Sequence, residues 1–230
     1  MDLDHHTAFP RPLIQVAGVH DVAEARMLAE AGTDLIGIPL RLPVNKEDLG
    51  ETAAAEISRA FPGRCCLITY LDKPDEIAAL AGFLAVDWIQ LHGTVDAGIL
   101  PGLRRRLPRV RLVKSLVVGR EPFARLEQSA RIFSPHVNAF ITDTFNPSNG
   151  AEGATGMVHD WGLSRRLREL ADRPLILAGG LHAGNVAPAI RAVRPSGVDV
   201  HTGVEGPDGR KCPDKVRAFI AAAREAFREA

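Results

Sequence analysis

The sequence predicts an α/β protein that forms a single (β/α)8 barrel of the TIM type. Short apolar runs of strand length alternate with amphipathic stretches of helical period along the whole chain. The length of 230 residues suits one such barrel, which usually has roughly 200 to 250 residues. No low-complexity linker divides the chain. We therefore interpret residues 1–230 as one domain, with residues 1–11 as a flexible N-terminal extension.

Eight strands are predicted, and each is a short apolar run rich in β-branched residues. In chain order they are residues 13–17, 34–38, 65–70, 88–91, 110–114, 139–143, 175–178 and 198–201. Apolar residues at helical spacing between them predict helices at residues 22–31, 75–83, 122–132, 162–170, 186–193 and 213–230. No strand runs directly into a Gly-x-Gly-x-x-Gly sequence, which weighs against an open dinucleotide-binding sheet.

The composition excludes several classes of partner. Lys plus Arg equals Asp plus Glu at 28 each, so no net field favours nucleic acid or an anionic membrane. No apolar run reaches 18 residues, and the N-terminus does not resemble a secretory signal. The odd count of three cysteines predicts a reducing, cytoplasmic location. Two of them, Cys65 and Cys66, are expected in the core of a strand.

Two apolar runs near the C-terminus break into glycine at the point where each predicted strand ends. The first is Leu177-Ala178-Gly179-Gly180-Leu181, and the second leads from Gly197 to Gly203-Val204-Glu205. Glycines at such junctions let backbone N–H groups approach an anion closely. The last two strands of a barrel often form a phosphate site. We therefore predict that Gly179, Gly180, Gly203 and Val204 bind phosphate, while two ordinary turns without a ligand remain the alternative.

A long segment without helical or strand period, residues 144–156, follows the predicted sixth strand. Long irregular loops in compact domains are usually functional or disordered. Because barrel active sites are built from the loops after the strands, this segment is predicted to be an active-site lid.

Several sequence blocks stand out together: Val16-Ala17-Gly18, Ile89-Gln90-Leu91-His92-Gly93, Ile141-Thr142-Asp143-Thr144, Gly153-Ala154-Thr155-Gly156 with His159-Asp160-Trp161, Leu177-Ala178-Gly179-Gly180-Leu181, and Gly197-Val198-Asp199-Val200 with Gly203-Val204-Glu205. In these blocks the chain resembles the phosphoribosylanthranilate isomerase family of tryptophan biosynthesis. They run in order along nearly the whole chain, and they are specific in combination rather than singly.

The resemblance implies an intramolecular oxidoreductase that converts a phosphorylated aminoaldose into an aminoketose by an Amadori rearrangement. It implies no metal, no organic cofactor, and a monomer or homodimer that binds only a phosphorylated small molecule. A general acid opens the furanose ring, and a general base then removes the proton at C2. The acid corresponds to Asp143. Gln90, His92, Gly153 and Gly156 correspond to positions around the substrate.

The general base has no counterpart in this chain. The family places a cysteine directly before the glycine that follows the first strand, and Ala17 stands there. The usual lysine two residues earlier is Gln15. The arginine that meets the anthranilate carboxylate corresponds by offset to Lys46, with Arg41 as the other candidate. Lysine keeps the charge but lacks the bidentate fork of arginine.

Two histidines are the new candidates for the base, because an unperturbed imidazole titrates near neutrality. His20 follows the first strand closely, and His201 lies at the tip of the eighth strand, where the family has serine. A surface or phosphate-binding role is the alternative for each. The changes leave two other functions open: a paralogue that isomerises, epimerises or cleaves a different sugar phosphate, and a non-catalytic barrel that binds a sugar phosphate.

Overall fold

The computed structural model describes residues 12–43, 47–144 and 158–230. Within these ranges, eight parallel strands close into a barrel in the order β1 to β8, which confirms the predicted fold. The strands are β1 Leu13–Ala17, β2 Leu35–Leu40, β3 Cys65–Thr69, β4 Trp88–Leu91, β5 Arg111–Val118, β6 Ala139–Thr144, β7 Leu175–Leu177 and β8 Gly197–Val200. The barrel closes where β1 pairs with β8, with Leu13 opposite Gly197 and Gln15 opposite Asp199.

Eight α-helices follow the strands in the described part of the chain. They are α1 Val22–Ala31, α2 Glu51–Ala60, α3 Pro74–Leu84, α4 Leu100–Arg106, α5 Phe123–Phe133, α6 Trp161–Leu170, α7 Val186–Val193 and α8 Pro213–Glu229. Two short 3-10 turns precede α4 and follow β8. Helices α2 and α4 were not predicted from the sequence. α2 is amphipathic, but small residues make up most of its buried face, and α4 carries Pro101, Gly102 and three arginines.

The core has two layers that follow from the alternation of side chains along each strand. One set of strand residues packs outward against the helices and includes Ile14, Val16, Ile36 and Ile38. The other set fills the barrel interior, namely Leu13, Ala17, Leu35, Cys66, Ile68, Trp88, Val113, Ala139, Ile141, Ile176 and Ala178. The expected core positions of Cys65 and Cys66 are confirmed, because both are buried in β3. Burial raises the pKa of the Cys65 thiol to about 11, so it stays protonated.

Candidate active site

The strand ends on one face of the barrel bring together most of the residues that the sequence singled out. Asp143 is the fifth residue of β6, His92 directly follows β4, and Ala17 ends β1. His201 directly follows β8. All of these positions lie at carboxyl ends of parallel strands, where the active sites of such barrels are built.

The shortest contact among these residues joins His92 to Asp143. His92 Nε2 lies 2.9 Å from Asp143 Oδ2, and both residues are buried. The backbone N–H of Gly93 donates to His92 Nδ1 at 2.9 Å, so the neutral ring carries its proton on Nε2 and donates it to the carboxylate. The backbone N–H of Thr144 donates to Asp143 Oδ1 at 2.8 Å. The Tyr70 ring stacks on His92 with 4.5 Å between centroids, which fixes the plane of the imidazole.

The end of β1 supplies no proton-accepting side chain. Ala17 is 4% exposed and contributes a methyl group to the barrel interior. The next residue, Gly18, has φ +76°, and a Cβ there would lie 2.1 Å from His201 Nε2 and 2.9 Å from Asp48 Oδ2. Glycine is therefore required at this position, because the His201 ring and the Asp48 carboxylate lie directly against its Cα.

Asp48 lies between the two histidines that the sequence proposed as bases. Its Oδ1 is 3.9 Å from His20 Nε2, and its Oδ2 is 3.9 Å from His201 Nε2. About a quarter of each of these three side chains is exposed. Burial is the largest cause that raises the pKa of Asp48, and the nearby His20 opposes it. Burial also lowers the pKa of His201 well below its usual value, with Lys211 and His20 acting in the same direction.

An ion pair between the buried Lys211 and the partly buried Glu205 lies next to His201 in the loop that follows β8. Lys211 Nζ lies 2.7 Å from Glu205 Oε1 and donates to the His201 carbonyl at 3.3 Å. Burial lowers the pKa of Lys211, and the Glu205 carboxylate opposes the shift. Glu24 accepts a hydrogen bond from the Lys211 backbone N–H at 2.6 Å. Its other oxygen lies 3.0 Å from His20 Nδ1. These contacts tie the loops that follow β1 and β8 together.

The two loops with the predicted phosphate glycines are adjacent. A Cβ at Gly203 would lie 1.9 Å from the Leu181 carbonyl oxygen, so the loop after β8 passes directly against the loop after β7. Gly179 and Gly180 both have positive φ, and Asn185 Nδ2 donates to the Gly180 carbonyl at 2.9 Å. Val204 is buried. The structure thus brings the four predicted phosphate residues to one side of the barrel mouth.

Gln90 lies deeper in the barrel than its predicted role suggests. It precedes His92 by two residues and donates from Nε2 to Ser115 Oγ at 3.4 Å. Its Oε1 accepts from Gln15 Nε2 at 3.1 Å. Beside them, Asp199 Oδ1 is buried without a hydrogen-bond partner among the described residues. Burial, followed by the charge of Asp143, raises the pKa of Asp199 to about 7.

Arg41 lies on the surface, just past the end of β2. Its guanidinium pairs with Glu51 of α2, with Nε 2.6 Å from Oε1. Its backbone N–H donates to Glu47. The other candidate for the substrate carboxylate, Lys46, lies outside the described residues, as do Gly153, Gly156 and most of the predicted lid.

Sequence reasoning missed Asp48 and did not assign Asp199 to the site. Asp48 lies in the loop after β2, in a stretch without a family motif, and only the folded loop brings it to Gly18. Asp199 belongs to one of the sequence blocks that carry the family resemblance, and its place as the third residue of a strand indicated an inward-facing carboxyl.

Within the described ranges, no group of three or more His, Cys, Asp or Glu side chains is arranged to hold a metal ion. No helix among those residues is long and apolar enough to cross a membrane.

Comparison with known proteins gives one consistent result. A family model described as N-(5'-phosphoribosyl)anthranilate (PRA) isomerase matches residues 41–222. The chain is 39% identical over 216 residues to the N-(5'-phosphoribosyl)anthranilate isomerase of Haloferax volcanii, covering 93% of each chain. It superimposes with a TM-score of 0.78 and 26% identity on monomers of the dimeric enzyme from Thermotoga maritima, covering 93% of this chain and 99% of that one. A complex of such an isomerase with reduced 1-(o-carboxyphenylamino)-1-deoxyribulose 5-phosphate matches with a TM-score of 0.76 and 26% identity, over 93% and 99% of the two chains.

Proposed function

Because the chain belongs to the N-(5'-phosphoribosyl)anthranilate isomerase family, we propose that it carries out the family reaction in tryptophan biosynthesis. In this reaction the aminoaldose N-(5'-phosphoribosyl)anthranilate becomes the aminoketose. It is an intramolecular oxidation and reduction, since C2 is oxidised while C1 is reduced. The substrate is phosphorylated, as is the analogue bound in the homologous complex.

The observation that carries this proposal is the buried pair of His92 and Asp143 at the barrel mouth. We assign Asp143 as the general acid that protonates the furanose ring oxygen, so that the bond from C1 to this oxygen breaks. The contact between His92 Nε2 and Asp143 Oδ2 holds the Asp143 carboxyl in a fixed orientation. Solvent returns the proton to Asp143 after each turnover.

The remaining residues are assigned to binding. Gly179, Gly180, Gly203 and Val204 offer backbone N–H groups to the phosphate, supported by the close approach of their two loops. We assign Gln90 and His92 to binding of the sugar. We assign the anthranilate carboxylate to Lys46 or Arg41, and Gly153 and Gly156 to substrate binding. Because the Arg41 guanidinium already pairs with Glu51, Lys46 is the favoured residue for binding the anthranilate carboxylate.

The base that removes the C2 proton is sought among the side chains that lie around Gly18. His20 and His201 are candidates for this role, since the His201 ring lies against Gly18 directly after β1 and His20 follows Gly18 by two residues. We further propose a cytoplasmic enzyme without nucleic-acid partners. It acts as a monomer or as a homodimer, and the dimeric relative from Thermotoga maritima supports the latter.

The test is direct turnover. Purified protein is incubated with N-(5'-phosphoribosyl)anthranilate and the aminoketose is measured by chromatography, with Asp143→Asn as the matched inactive control. The gene is also introduced into a strain that lacks the isomerase. We expect turnover and growth without tryptophan. If the wild-type protein shows neither, the proposed reaction is wrong. A thermal-shift screen then identifies which other sugar phosphates bind, and turnover of those that bind separates a paralogue from a non-catalytic binding protein.

A further inference from the structure

We propose that Asp48 is the catalytic residue that accepts the C2 proton, in place of the cysteine that Ala17 has replaced. This inference rests on the proposed isomerase reaction. It adds a residue from the loop after β2 to a site that is otherwise built from strand ends.

The position of Asp48 is the first argument. Its Oδ2 lies so close to Gly18 that a Cβ on that residue would be 2.9 Å away. Ala17 directly precedes Gly18, so the carboxylate lies one residue along the chain from the position where the family has a cysteine. Asp48 is therefore close to the end of β1, while Asp143 lies at the end of β6.

The Asp48 carboxylate has no evident structural role. Asp48 precedes α2 by three residues, yet the N-cap of that helix is Gly50, which makes no side-chain capping bond. Its distances to His20 and His201 are 3.9 Å each, which is too long for a hydrogen bond. The charges around it come from every neighbouring element: His20 and Glu24 near α1, His201 and Glu205 after β8, and Lys211 before α8.

Asp48 is better suited to accept a proton than the imidazoles of His20 and His201. Burial lowers the pKa of His201, so this ring is a weak proton acceptor, whereas burial raises the pKa of Asp48 and makes its carboxylate a stronger base than an ordinary aspartate. His20 uses Nδ1 in a 3.0 Å contact with Glu24, and its Nε2 faces Asp48. The two rings therefore flank the carboxylate without bonding to it.

The step is balanced without any further reactant. After ring opening, the iminium at C1 withdraws electrons from the C2–H bond. An Asp48 oxygen takes the proton, the bonding pair becomes the C1–C2 double bond, and the iminium pair returns to nitrogen. The resulting enolamine tautomerises, so that C2 becomes a carbonyl and C1 gains a hydrogen.

The experiment measures isomerisation of N-(5'-phosphoribosyl)anthranilate by wild-type protein and by the variants Asp48→Asn, Asp48→Ala, Asp48→Glu and His20→Ala. Asp72→Asn, an exposed carboxylate in the loop after β3, is the matched control. We expect Asp48→Asn to lower kcat by about 100-fold or more with KM changed less than about threefold. Asp48→Glu keeps a carboxylate and retains more activity than Asp48→Asn. Added sodium formate restores part of the kcat of Asp48→Ala, because a small carboxylate can occupy the vacated space.

The outcomes are distinct. An Asp48→Asn enzyme within threefold of wild type overturns the inference and leaves the proposed function intact. The inference is equally wrong if His20→Ala costs more than Asp48→Asn and formate restores nothing. A wild-type protein without turnover instead contradicts the proposed function, and the assignment of Asp48 falls with it. Circular dichroism of each variant shows whether the fold is kept, and the formate response separates lost chemistry from lost structure.

Discussion

His92 Nε2 donates to Asp143 Oδ2 across 2.9 Å and joins the ends of β4 and β6 inside the barrel mouth. Because the Gly93 N–H occupies Nδ1, the ring can present only its Nε2 proton to the carboxylate. Asp143, the acid of the proposed reaction, is thus oriented by His92, whose proton is kept on Nε2 by the backbone N–H of Gly93.

Replacing Asp143 by Asn should lower kcat by roughly 100-fold or more, the usual scale for a general acid, because an amide cannot donate the required proton to the ring oxygen. The fold should survive, since the amide oxygen can still accept from the Thr144 N–H. Steady-state kinetics with the natural substrate checks this, with Asp96→Asn as the control, an exposed residue on the loop after β4. Equal kcat values for the two variants would refute the assignment.

Replacing Ala17 by Cys tests where the base now lies. In the wild-type background we expect kcat to change by less than about threefold, since Asp48 already accepts the proton. In the Asp48→Asn background the new thiol should raise kcat at least tenfold, on the scale of general-base catalysis. Kinetics of the single and double variants measures this.

The control for that experiment is Ala17→Ser, which has a similar shape but a hydroxyl that is a much poorer base at neutral pH. No gain from cysteine over serine in the Asp48→Asn background would show that the end of β1 no longer reaches the reacting carbon. A large gain in the wild-type background would show that Asp48 is not an effective base.

Inorganic phosphate should bind between the loops that follow β7 and β8. The backbone N–H groups of Gly180 and Gly203 are the expected donors, because the close approach of the two loops at Leu181 and Gly203 places them on one side of the mouth. A crystal soaked in phosphate checks this by its electron density. Phosphate bound only elsewhere on the barrel would contradict the prediction.

Stability should depend on pH through Asp199, whose pKa burial raises to about 7. Between pH 4 and 7 the unfolded chain has released this proton while the folded protein keeps it, so the free energy of unfolding falls as pH rises. Asp199→Asn removes this loss. The difference in Tm between Asp199→Asn and the wild type should therefore increase by about 3 °C or more from pH 5 to pH 8, in favour of the variant.

Differential scanning calorimetry at several pH values measures this difference in Tm. The control for general charge effects is Asp72→Asn, a substitution at an exposed residue. A constant difference in Tm between Asp199→Asn and wild type at all pH values would show that Asp199 ionises normally in the folded protein.

The strands were the most predictable part of the fold, since burial on both faces leaves a continuous apolar run in the sequence. β1 and β4 match the predicted bounds, whereas β5 extends to Val118, four residues beyond its prediction. Strand ends depend on pairing with neighbours, which short-range patterns do not record. The helices α2 and α4 were not predicted, because the buried face of α2 consists mostly of small residues and α4 contains proline, glycine and three arginines.

Local periodicity and position along one strand were enough to predict the barrel, the loss of the base at Ala17 and the place of Asp143. The position of Asp48 over Gly18 between His20 and His201, and the bond from His92 to Asp143, became visible in the folded chain alone. These residues are far apart along the chain. They meet because eight parallel strands end on one face, and the closure of the barrel sets the distances between those ends.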